Sequence, residues 1–215
     1  MSTRGAIARL KDNESWEGRY HHWDSYPSGL GATLFQLIRS EQLGDLKATL
    51  TTLLDDHPAG WSTINGADWS LTAGFPDDEA GPCAQCGKEM WEHYAQYYEA
   101  HGLPEPPHPP DSYAVLGHPF DRPRIPQGAQ CYCHGSRGED GQLVTNQNAS
   151  AIGVEYAYVF DVERARMLVL SSYTEGGQKM IGMFGMGDPD ARWGVMAEVD
   201  LTGPEPNWEA IEEAA

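Results

Sequence analysis

Basic residues are scarce in this 215-residue chain, where 14 lysines and arginines face 32 aspartates and glutamates for a formal charge of −18. An average surface so acidic repels phosphate backbones and anionic headgroups, which removes nucleic acid and membranes as default partners. The acids are scattered rather than ranked along one face, so solubility explains them more simply than mimicry of a duplex. Long apolar runs are missing as well: nothing approaches the roughly 20 residues that span a bilayer. The opening MSTRGAIARL has no basic stretch followed by an apolar segment, as a secretory signal would. The expected compartment is the cytoplasm, where stable disulfides are rare and thiols stay available to metals. In an unexported chain the sequon Asn148-Ala149-Ser150 has no consequence. Also absent are a Gly-x-Ser-x-Gly elbow, a His-Glu-x-x-His pair and a phosphate-binding Gly-x-x-x-x-Gly-Lys loop.

What is present reads as a single α+β domain over residues 1–215, its antiparallel sheet packed by helices. A loop-rich insertion over 75–141 interrupts it. Thr3 to Leu10 and Trp16 to Trp23 form an opening hairpin, with Trp16, Gly18, Tyr20 and His22 on one face. Tyr26-Pro27-Ser28-Gly29 breaks the extended run. Leu30, Leu34, Leu37 and Ile38 then recur at helical spacing, and so do Leu46, Leu50, Leu53 and Leu54, before His57-Pro58 ends the second helix. A further helix is expected from Lys88 to His101, and a proline-rich segment with little periodicity follows it. Val154 to Phe160 and Met167 to Ser171 read as paired strands, and Trp193 to Val199 as another. Asn207 is placed to cap a short acidic helix at the end.

Cysteine is limited to four residues, and they fall in two pairs: Cys83-x-x-Cys86 and Cys131-x-Cys133, each followed by a glycine turn. Four thiolates match a closed tetrahedral zinc site, and a segment too proline-rich for its own core gains most from such a staple. The expected cofactor is thus one structural zinc on Cys83, Cys86, Cys131 and Cys133. His134 is the alternative ligand should one of the C-x-C thiols be displaced. Four protein ligands leave no open position for water, which argues against a catalytic ion. Met180, Met183 and Met186 have a spacing that suits copper(I), but flexible filler in a glycine-rich turn is the simpler reading.

The second constellation is Tyr20-His21-His22-Trp23-Asp24-Ser25-Tyr26-Pro27. Strand ends are where a rigid scaffold displays chemistry. Alternation pairs His22 with Asp24 as an acid–base couple, leaving His21, Trp23 and Tyr26 to touch a ligand. The opening Ser2-Thr3-Arg4-Gly5, the Tyr20-x-His22-Trp23-Asp24-x-Tyr26-Pro27 motif and Gly29-x-Gly31 together resemble an uncharacterised family of actinobacterial and phage proteins. That resemblance implies a shared site around Arg4, His22 and Asp24 and brings no activity with it. A weaker likeness links Ser2, with Arg19 and Asp24 on the returning strand, to amide hydrolases of the N-terminal-nucleophile class. In that class a freed terminal amine serves as the nucleophile's base. Serine in place of cysteine and a wider Arg-to-Asp spacing set this chain apart from it.

Two functions are compatible with these features. One is a zinc-containing accessory or binding protein that presents the aromatic–histidine turn to a small molecule or protein partner. The other is a hydrolase working through Ser2, Arg4, His22 and Asp24.

Overall fold

A computed structural model describes residues 3–12, 15–74, 128–135, 137–172 and 193–213. The chain divides into two units, one made of Met1–Phe75 with Gly128–Ala215 and the other of Pro76–Gln127. The second unit lies outside the described residues, and with it Cys83, Cys86 and the helix expected from Lys88. Ser2 and the Met180–Met186 run also lie outside them.

Among the described residues of the first unit eight strands form one sheet: β1 (Gly5–Asp12), β2 (Ser15–His21), β3 (Trp61–Thr63), β4 (Gln130–Cys131), β5 (Val144–Thr145), β6 (Tyr156–Asp161), β7 (Arg166–Ser171) and β8 (Gly194–Asp200). Their order is β4-β3-β2-β1-β6-β7-β8, with β5 also paired to β2. The hairpin β1–β2 forms as expected, Ile7 opposite Arg19 and Ala8 opposite Gly18. Gly18 is required there, because a Cβ would sit 1.9 Å from the Ile7 carbonyl oxygen.

The sheet is mixed and not antiparallel throughout. β1 runs parallel to β6, and β2 parallel to β3, while the remaining pairs are antiparallel. The reason lies in β6, whose six residues are all buried. A strand covered on both faces loses the clean alternation of an exposed antiparallel strand and is the kind that parallel pairing uses.

The thicker core lies on one face, where Ile7, Tyr158, Phe160, Met167 and Val169 meet Leu30, Leu34, Leu37, Leu50 and Leu53. Those leucines belong to α1 (Ala32–Arg39), α2 (Leu46–Leu50) and two π-helical turns, Pro27–Gly31 and Thr51–Asp55. Both expected stripes therefore face the sheet, but each helix is part α and part π. Asp45 caps α2 by accepting from the Ala48 amide at 2.8 Å. The opposite face carries a smaller cluster of Ala6, Ala8, Trp16, Val144, Ala157 and Val159. The closing helix α3 (Trp208–Glu213) is capped as expected, the Ala210 amide donating to Asn207 Oδ1 at 3.1 Å. No helix among the described residues is long and apolar enough to cross a membrane.

Candidate metal centre and the adjoining aromatic turn

His57 follows the second π-helical turn, Cys131 closes β4, and Cys133 and His134 lie in the loop just beyond it. Four ligand atoms, one from each residue, lie within 4.8 Å of one another. His134 Nδ1 is 3.3 Å from both Cys131 Sγ and Cys133 Sγ and 3.1 Å from His57 Nδ1. Cys133 Sγ is 3.7 Å from His57 Nδ1. Zn–S bonds of ~2.3 Å and Zn–N bonds of ~2.0 Å at tetrahedral angles imply edges of roughly 3.3 Å for N···N and 3.6 Å for S···N. The separations in the protein fall close to both values, so the donor set fits a tetrahedral ion of zinc's size.

Local structure explains how these residues meet. The pairing of β3 with the edge strand β4 brings Trp61 opposite Cys131, and the Trp61 ring lies 4.4 Å from the His57 ring, which orients that ligand. The Trp61 indole is itself fixed, donating from Nε1 to the Leu53 carbonyl at 2.9 Å. Gly74 donates to Ala129 O at 2.9 Å, so the two points where the first unit's chain breaks off and resumes are tied beside the cluster. Burial, together with the neighbouring His134 ring, pushes His57 down to about 4. Burial and the adjacent Cys133 push the Cys131 thiol up to about 11. Unliganded, the group therefore favours a neutral Cys131 thiol and a neutral His57 imidazole. A divalent cation reverses that preference for the thiols, which it binds as thiolates.

Of the four expected cysteine ligands, Cys131 and Cys133 are in this cluster and Cys83 and Cys86 lie outside the described residues. His134, the expected alternative, is a member. His57 was missed because His57-Pro58 reads as a helix stop, and a lone histidine 74 residues before Cys131 gives no spacing signal.

The aromatic turn lies one strand away. His21 is fully buried rather than offered to a ligand. The Ile64 amide donates to its Nε2 at 3.3 Å, so its proton sits on Nδ1, 2.7 Å from Ser25 Oγ. Burial, helped by His22, lowers His21 to about 3. His22 shares the face of Tyr20, and its Nδ1 lies 2.7 Å from the Tyr20 hydroxyl. Burial holds that phenol up at about 12. Burial and the positive charge of Arg4 lower His22. Trp23 is 48% exposed and stands edge-on to His22 at 4.7 Å between ring centres. Asp24 is exposed with φ of 53°, a left-handed conformation uncommon away from glycine, and its carbonyl accepts from the Leu30 amide at 3.1 Å. The Asp24 charge pushes the Tyr26 phenol up. The regular alternation that put Asp24 beside His22 ends at His21, where β2 stops.

The chain matches no known family, curated protein or solved structure. Its chemistry is therefore read from this geometry alone.

Proposed function

We propose that this chain is a cytoplasmic zinc-holding accessory or binding protein. In this reading His57, Cys131, Cys133 and His134 hold one structural ion, and the turn of His22, Trp23, Asp24 and Tyr26 meets a small molecule or protein partner. The observation that carries it is the convergence of two thiols and two imidazole Nδ1 atoms within 4.8 Å. Thiolate and imidazole together suit zinc better than magnesium or calcium, which prefer oxygen donors. Four protein ligands close the coordination shell, so the ion's part is to hold the edge strand β4 and its neighbour β3 against the loop at His57. The turn combines an exposed indole, a left-handed Asp24 and a π-helical segment at Pro27, features that cluster at binding sites.

Metal content of variants tests the site. Wild-type protein is expected to carry one zinc per chain, and a Cys83→Ser/Cys86→Ser variant to keep it. His57→Ala and Cys133→Ser are expected to lose most of it. Full zinc in both single variants would refute the assignment.

The hydrolase reading retains one supporting observation, the contact between His22 Nδ1 and the hydroxyl of the Tyr20 phenol.

A further inference from the structure

Between the metal cluster and the aromatic turn lies one short strand, β3, and both are built on it. On one side Trp61 pairs with Cys131 and stacks against the His57 ring at 4.4 Å. On the other, the His22 amide donates to Trp61 O and the Trp23 amide to Ser62 O, both at 3.0 Å. The backbone that orients two ligands thus also supplies the acceptors that hold the turn.

A second connection runs along the opposite face. Tyr132 lies between Cys131 and Cys133, and its amide donates to Gly60 O at 3.1 Å. Burial raises the Tyr132 phenol, the Ser62 side chain acts against that, and Tyr132 itself acts to raise Tyr20. Tyr20 in turn contacts His22. Backbone hydrogen bonds and strand pairing thus lead from the thiols to His22.

Strand β3 has three residues, and its pairing with β2 is confined to His21 opposite Trp61. A strand this short has little stability of its own, and local opening of such segments is less costly than global unfolding. Clamping Cys131, Cys133, His134 and His57 to one ion would remove that freedom from β3 and β4 together. Resting on the proposed metal site, we infer that metal loading governs the order of the His22–Trp23 turn, so that the turn is fixed for its partner only when the ion is bound. A ligand that binds the ordered turn then binds the loaded protein more tightly, and by linkage it tightens metal binding by the same factor.

Hydrogen exchange of the full chain, with zinc and after chelation, tests this. Without zinc the amides of His22 and Trp23 are expected to exchange at least tenfold faster than those of Tyr158 and Val169 in the sheet centre. With zinc that gap narrows by tenfold or more. Cys133→Ser should show the wide gap whether or not zinc is added. If the chain binds zinc and the gap stays the same, the coupling is refuted while the metal site stands. If zinc slows all four amides by one common factor, the ion acts on global stability alone and the coupling is again refuted. Failure to take up zinc refutes both.

Discussion

His21 shows what a histidine does when the fold gives it no solvent. Its Nε2 receives a backbone amide that can only donate, and its Nδ1 meets Ser25, so both ring nitrogens are used while the ring stays neutral. With a folded value of about 3 against 6.5 for the free side chain, the unfolded chain takes up the proton first as pH falls. The stability His21 contributes is complete above pH 6.5 and is lost as pH falls from there toward 3. Between pH 7 and pH 5 the linkage amounts to about 2 kcal/mol. An NMR titration checks it directly: the His21 ring should remain neutral at pH 5, and a midpoint near 6.5 would contradict the burial. The same residue illustrates a limit of reading sequence. His21 and His22 are adjacent and chemically identical, yet the pleat sends one into the core and the other to the Tyr20 face. Alternation placed His22 on the Tyr20 face but held no further than His21, and which face was sealed depended on Ile64 and Ser25.

At the scale of elements, the hairpin depends on close approach of two backbones at Gly18. Even one methyl group there would overlap the Ile7 carbonyl oxygen, and flexible side chains are not the obstacle. Gly18→Ala is expected to cost about 2 kcal/mol or more, within the usual range for overpacking. Urea denaturation measures it, and an unchanged midpoint would mean that the strands can separate cheaply.

The elements legible in sequence were those with a local repeat: the β1–β2 hairpin, the leucine stripes, the β6–β7 pair and the Asn207 cap. Strands β3, β4 and β5 were not, because two or three residues display no period. The parallel pairing of β1 with β6 was hidden for another reason. Its partners, such as Ile7 and Tyr158, are far apart in the chain, and no turn between them records the pairing. The metal site was half legible for the same cause. Cys131, Cys133 and His134 sit within four residues and announce themselves, whereas His57 joins them only through the pairing of β3 with β4 and the stacking on Trp61.

For the whole molecule, the ion has more to stabilise than its own loop. It would join the end of the second π-helical turn to an edge of the sheet, next to the Gly74–Ala129 bond. Free zinc at a hundred times its dissociation constant adds about 2.7 kcal/mol to a protein that binds it only when folded. For a unit of roughly 150 to 250 residues each kcal/mol moves the melting temperature by about 2–4 °C. Chelation should therefore lower Tm by about 5–10 °C, read by calorimetry with and without chelator, and a Tm insensitive to zinc would remove the staple.

The central claim is a ligand set, and X-ray absorption at the zinc edge of the full-length protein reads it most directly. Two sulfurs at ~2.3 Å and two nitrogens at ~2.0 Å are expected from His57, Cys131, Cys133 and His134. Four sulfurs and no nitrogen would place the ion on the four cysteines instead and contradict the mixed thiolate–imidazole site.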